Sequence, residues 1–399
     1  MTDYTLKKMR LITCIFIILS CLSIGSCSRY QAASILLSKD PAQAAKYALL
    51  NKKAVYQRNP LQLARDIKAV RKNFNSLISL LNGNVSREWG KDEILTATRS
   101  RYVKYTQNYK SRAIINFDDG LVTIETLVND NATSNLHNAI VTTLLTPNDP
   151  RAVDLFSDKK IKLAGTPFLY KLVVDNNQRY IDSPETAEQF AHYLITNHQK
   201  TRQAHGENPK HVLFVTLNLV NEHNNIRARR YEESVNRYAE HFNINKSLIY
   251  AVIKTESNFN PFAVSHAPAY GLMQLVPTSG GRDAYYYVKG KDIAPRRDYL
   301  FDPDNNIELG TAYLNIIERD YLKNIQNPVS REYCTIAAYN TGSGNVLRTF
   351  SSNRETAVNI INSLHPAETY NRLRSGLNSQ EARRYLEKVT QAQKEFVNI

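Results

Sequence analysis

The sequence predicts an α+β protein, in which a mixed α/β domain is followed by an all-α domain. Three observations carry this reading. β-rich runs cluster between residues 113 and 220; beyond residue 231 every segment repeats its apolar residues at helical spacing; and a polar stretch, residues 221–230, separates the two regions. The 399 residues suit two globular domains, and a 42% hydrophobic content with 24 Tyr and 13 Phe excludes a disordered chain. With only 14 Gly and 14 Pro, a fibrous chain is excluded as well.

At the start of the chain, Lys7, Lys8 and Arg10 precede the apolar run Leu11 to Ile24, which is too short for a mature membrane span. Residues 1–26 therefore read as a signal peptide. The run ends in Ile24-Gly25-Ser26-Cys27, which resembles a bacterial lipobox. That resemblance implies a lipidated Cys27 as the mature N-terminus. With Ser28 rather than Asp next, it implies an outer-membrane anchor with the protein facing the periplasm. A secreted protein with a chance Cys, or an uncleaved signal anchor, is the plainer alternative. Removing residues 1–26 lowers the net charge only from +14 to near +12, so the positive charge belongs to the exported body. Export argues against nucleic acid as a partner and for an acidic wall polymer or anionic lipid.

Residues 28–225 form the first domain, whose role the sequence does not reveal. From Ser28 to about Arg112 the pattern is mostly helical, with Ala42, Ala45, Leu49, Leu61, Ile67 and Val70 at helical spacing and no evident chemistry. Ala113 to Phe117 and Leu121 to Glu125 then flank Asp118-Asp119-Gly120, which predicts a hairpin. The acidic pair suits the turn better than a metal. Helices are expected near 135–145 and 184–195, and a strand at Val212 to Val220. In the second domain, residues 230–399, helices are expected at 231–242, 246–257, 304–322, 330–339, 344–350 and 379–397.

The chemistry concentrates on the helix from Lys246 to Ser257, with Asn245 as its N-cap and Pro261 as its stop. Ile249, Val252 and Ile253 mark its apolar face, and Glu256 falls on the same stripe. Burial there favours the protonated carboxyl, as a general acid requires. From this helix alone, a Glu256 that bends out to solvent is an equal reading.

Two further blocks decide between them: Tyr270-Gly271-Leu272-Met273-Gln274-Leu275-Val276-Pro277 and Ala337-Ala338-Tyr339-Asn340-Thr341-Gly342-Ser343-Gly344. With Glu256-Ser257 they resemble, in order and spacing, the soluble lytic transglycosylase (SLT) domain of glycoside hydrolase family 23, related to goose-type lysozyme. The likeness covers roughly residues 240–395 and includes Asn306-Ile307, Gly310, Tyr313-Leu314 and the block Glu381 to Val389. Thr341 and Ser343 depart from the usual Ala and Pro. The upstream region and the Cys27 box are more similar to membrane-bound members of the family than to its large soluble one.

The resemblance implies a lysozyme-like catalytic domain that cleaves peptidoglycan glycan strands, with Glu256 as the single acid and base. It implies that Tyr339 hydrogen-bonds Glu256, that Ser265 contacts the N-acetyl or 6-hydroxyl region, and that Tyr385 lines the cleft. Gln274 and Asn340 carry amides suited to sugar hydroxyls, and Met273 offers an apolar wall. No second carboxylate is required, although Asp283, Asp292 and Asp302 are candidates. Tyr285, Tyr286 and Tyr287 either stack on sugars or pack as a loop. His266 reads as a solvated loop residue, and Cys334 as a core residue. No cofactor or metal is expected. The expected partners are peptidoglycan, outer-membrane lipid through Cys27, and other cell-wall enzymes. A lysozyme-type hydrolase is the nearest rival, and a noncatalytic wall-binding lipoprotein the rival of a different class.

Overall fold

A computed structural model describes residues 60–397 except 129, 206–209 and 266, with backbone alone for 60–66. The signal-peptide and Cys27 readings, the helical pattern from Ala42 to Leu49, and His266 lie outside the described residues. Two units emerge. Residues 1–65 with 290–292 form one, whose described part is the start of the first helix and a short connector; residues 66–289 with 293–399 form the other and hold the sheet, the remaining helices and the site.

Helix α1 (Pro60–Trp89) is followed by β1 (Arg101–Thr106), β2 (Ser111–Asn116), β3 (Leu121–Leu127), α2 (Ala132–Leu144), α3 (Pro184–His198), β4 (Lys200–Gln203) and β5 (His211–Asn218). The strands form one antiparallel sheet in the order β1-β2-β3-β5-β4. The hairpin falls where the Asp-Asp-Gly turn places it, with Asn116 opposite Leu121. Strand β1 lies inside the region read as helical, a correction: Tyr102, Val103 and Tyr105 are buried as part of a sheet that only distant residues complete.

One sheet face packs on α2, and α3 packs beside it. On the other face, Trp89, Leu81 and Val85 of α1 meet Val103, Tyr105 and Val212. There Arg112, stacked 4.0 Å over the Trp89 ring, pairs with Glu93 at 2.5 Å and Glu125 at 2.7 Å, and Arg202 closes the network on both carboxylates. Buried charges persist here because each guanidinium faces two carboxylates.

The polar stretch 221–230 is structured: it carries α4 (His223–Arg229). Arg227 is fully buried, 4.7 Å over the Phe117 ring, and donates to the carbonyls of Asn258 and Phe117. The rest is helical: α5 (Glu232–Phe242), α6 (Lys246–Ser257), α7 (Gly280–Lys289), α8 (Arg297–Phe301), α9 (Pro303–Ile316), α10 (Pro328–Thr341), α11 (Ser343–Arg348), α12 (Arg354–Ser363), α13 (Pro366–Gly376) and α14 (Gln380–Glu395). The expected 304–322 helix is α9 followed by a π turn, Ile317–Tyr321. A continuous buried cluster runs from Phe117, Val122 and Leu136 through Ile249, Phe262 and Leu386. The sheet and the helices thus share one core.

Candidate active site

Helix α6 is set at both ends by asparagines. The Asn245 side chain accepts the Ser247 N–H at 3.0 Å. Asn258, left-handed at φ 48°, ends the helix by donating its N–H to Lys254 O at 2.9 Å. The stop therefore falls before Pro261, because Asn258 tolerates positive φ. Leu248 through Ile253 are all buried, so α6 runs through the core between α5 and α14.

The α/β region grips the end of this helix. Asn258 Nδ2 donates to Phe117 O at 3.1 Å and to Asp118 Oδ1 at 3.0 Å, which gives the hairpin turn a structural task. Asn260 Nδ2 donates to Arg99 O at 3.0 Å. Ser257 donates its hydroxyl to Ile253 O, within the helix.

Glu256 is 4% exposed, and its Oε2 has no hydrogen-bond partner. Burial pushes its carboxyl from 4.5 up to about 7; Arg99 and the Tyr385 hydroxyl pull the other way, and Glu381 adds to the rise. Arg99 Nη1 lies 3.9 Å from Oε2, long for a hydrogen bond but close enough for charge to be felt. Near neutral pH such a carboxyl can hold a proton and release it.

Tyr339 corrects an expectation: its hydroxyl donates to Met273 O at 2.9 Å. The Met273 carbonyl sits in a turn with no helix or strand ladder to serve it, and Tyr339 supplies the donor. The tyrosine near Glu256 whose hydroxyl is not committed elsewhere is Tyr385 of α14, 3% exposed, with a hydroxyl that completes no hydrogen bond of normal geometry. Burial and the neighbouring Glu256 hold both phenols well above their ordinary value.

The Tyr270 to Leu275 block is a tight turn. Gly271 (φ 75°) packs so closely that a Cβ there would lie 2.5 Å from both Leu300 O and Asn306 Nδ2. Asn306 ties the turn down: it accepts from Met273 N–H at 2.7 Å and donates to Tyr270 O and Leu300 O. Met273 is fully buried against Gly310, where a Cβ would lie 2.2 Å from its sulfur. It is therefore packed into α9 and forms no sugar-facing wall, a second correction, made possible because Gly310 leaves room for the thioether. Gln274 spends its amide nitrogen on Ala263 O and Gly271 O, because this loop has carbonyls to satisfy. Its Oε1 is buried and unpartnered.

Ser265 is half-buried, its hydroxyl turned to the Ala267 carbonyl, and Asn340 is half-buried at the end of α10. Asp302 caps α9 through Asn305 N–H and pairs with Arg151, and Asp283 accepts from Tyr321; the carboxylate that influences Glu256 is Glu381. Tyr285 and Tyr287 lie on α7, not in a loop: Tyr285 meets Tyr299 edge-on and Tyr287 rests against Phe242. Cys334 is fully buried, as expected of a core residue. Among the described residues, no cluster of His, Cys, Asp or Glu is arranged to hold a metal. Arg99, Glu381, Asn258 and Asn306 gain functions that sequence reasoning missed. Asn306 and Glu381 carried a signal, their places in the resembling segments Asn306-Ile307 and Glu381 to Val389.

Comparison with known proteins places the chain in a family. Residues 65–230 match the family model "Membrane-bound lytic murein transglycosylase C, N-terminal domain", and residues 233–362 match "Transglycosylase SLT domain". Membrane-bound lytic murein transglycosylase C of Cronobacter sakazakii is 45% identical over 81% of this chain and 89% of its own, and that of Yersinia pestis is equally similar. A lytic transglycosylase structure from Pseudomonas aeruginosa aligns at 26% identity over 41% of this chain and 23% of that one, with a TM-score of 0.33. On the relatives' identity and coverage, the chain belongs to the membrane-bound lytic murein transglycosylase C family, whose members are SLT-domain enzymes.

Proposed function

We propose that the protein cleaves the β-1,4 bond between N-acetylmuramic acid and N-acetylglucosamine in peptidoglycan, leaving 1,6-anhydromuramic acid ends. The observation that carries the reading is Glu256: a carboxyl 4% exposed, with an unpartnered oxygen, raised to about 7 by burial. Its proton passes to the glycosidic oxygen as the anomeric carbon–oxygen bond breaks. The resulting carboxylate then takes the proton of the muramic acid 6-hydroxyl, whose oxygen bonds to the anomeric carbon. Glu256 regains its proton and no water is consumed. Ser265, Asn340 and the free Gln274 Oε1 are offered as contacts to the sugar, and Tyr385 as the residue that orients the acid.

Mass spectrometry of digested peptidoglycan tests the reaction: anhydro ends support it, and reducing ends one water heavier indicate a lysozyme-type hydrolase. Glu256→Gln tests the residue. Retained cleavage would remove Glu256 from the mechanism, and wall binding without cleavage by the wild type would leave a noncatalytic lipoprotein. We also propose anchoring to the outer membrane through lipid on Cys27, facing the periplasm, on the resemblance of Ile24-Gly25-Ser26-Cys27 to a lipobox followed by Ser28 and on the membrane-bound names of the relatives. Loss of membrane fractionation in Cys27→Ala is the expected result.

A further inference from the structure

Arg99 belongs to the α/β region, in the segment leading into β1, yet its guanidinium spans two carboxylates of the helical region. Nη1 lies 3.9 Å from Glu256 Oε2, and Nη2 lies 3.5 Å from Glu381 Oε1. The backbone around it is pinned from both sides. Its own carbonyl accepts from Asn260 Nδ2 at 3.0 Å, and Phe117 N–H donates to Ser100 O at 2.9 Å. Thr98 N–H donates to Arg101 O at 2.8 Å. Side-chain exposure rises outward, from 5% at Glu256 through 40% at Arg99 to 66% at Glu381.

We propose that Arg99 is a positioning residue for the acid, supplied by the α/β region, which holds Glu256 between its protonated and ionised states while Glu381 draws the guanidinium outward. A two-pronged hydrogen-bonded pair at normal distance would keep Glu256 ionised and useless as an acid. With no cation nearby, the buried carboxylate left after proton donation would lack compensation. The observed spacing lies between these extremes. The charged and titratable groups facing Glu256 are Arg99, Glu381 of α14, and the phenols of Tyr385 (α14) and Tyr339 (α10). Of these, Arg99 alone is cationic.

This inference rests on Glu256 being the catalyst, and the test separates the two. Turnover of peptidoglycan to anhydro products is followed against pH for the wild type, Arg99→Gln, Arg99→Lys and Glu381→Gln, with thermal unfolding of each. Arg99→Gln should move the alkaline limb of kcat up by about one pH unit, the low end for an opposite charge near a carboxylate because Arg99 is partly exposed. Its maximal rate should fall, with KM little changed. Arg99→Lys should restore the limb. Glu381→Gln should move it down, because a negative charge is removed and Arg99 is freed toward Glu256. Superimposable limbs in wild type and Arg99→Gln, or a Lys variant no better than Gln, would overturn the assignment. If Arg99→Gln does not fold, the exposed Glu381 decides: an unmoved or upward limb refutes the proposal. A wild type that makes no anhydro product, or a Glu256→Gln variant that still cleaves, would sink the functional reading itself.

Discussion

Burying the acid costs stability, and the cost is measurable. Glu256 ionises near 4.5 when exposed and near 7 in the fold. Its folded value is the higher, so the folded state binds the proton more tightly. The associated stability is fully present below about pH 4.5 and is lost as pH rises toward 7. At about 1.36 kcal/mol per pH unit, the gap amounts to about 3 kcal/mol. Glu256→Gln keeps the shape but cannot ionise. It should therefore be about as stable as the wild type at pH 4 and about 3 kcal/mol more stable, relative to it, at pH 8. Urea unfolding of the two proteins at intervals between these pH values gives the difference directly, and other titrating groups cancel in the subtraction. The same variant should lose cleavage altogether, so stability and activity move in opposite directions at one residue. A stability difference that stays flat with pH would mean that Glu256 is not desolvated in the fold, and the account of its raised pKa would fail.

Two further outcomes follow from the packing around the site. Asn258→Gly keeps the left-handed helix end but removes the side-chain bonds to Phe117 O and Asp118, so it should lower stability by about 1 kcal/mol and reduce turnover more than substrate affinity; steady-state kinetics with thermal unfolding checks both. Gly310→Ala forces a Cβ to within 2.2 Å of the Met273 sulfur and should cost about 1–3 kcal/mol in unfolding experiments. Pairing it with Met273→Ala should recover part of that loss, because the clash is with this one side chain.

What could be read from the sequence divides along a physical line. The helix that carries Glu256 was legible because its signals are local: Asn245 at one end, and Ile249, Val252, Ile253 and Glu256 on one stripe between. The hairpin was legible from its turn residues for the same reason. Strand β1 was not, because its burial depends on β2, β3 and β5 lying beyond it, and propensity is silent about partners. Hydrogen bonds were the least legible layer. Tyr339 and Tyr385 both stand near Glu256, and only the demand of the Met273 carbonyl for a donor decides which hydroxyl is occupied. Arg99 is the extreme case. Its contact with Glu256 spans 157 sequence positions, and nothing in Thr98-Arg99-Ser100-Arg101 tells one arginine from the other. What distinguishes it is that its backbone carbonyl receives Asn260, two residues past the helix end held by Asn258. The loop that carries the cation is thereby tied to the loop that follows the acid. A stretch read from sequence as having no evident chemistry thus supplies the one cation that acts on the Glu256 carboxyl among the described residues, and for that reason the two regions should fail together: a chain starting at residue 230 would lose Arg99, the Asn258 clamp and the buried stacking of Arg227 on Phe117 at once.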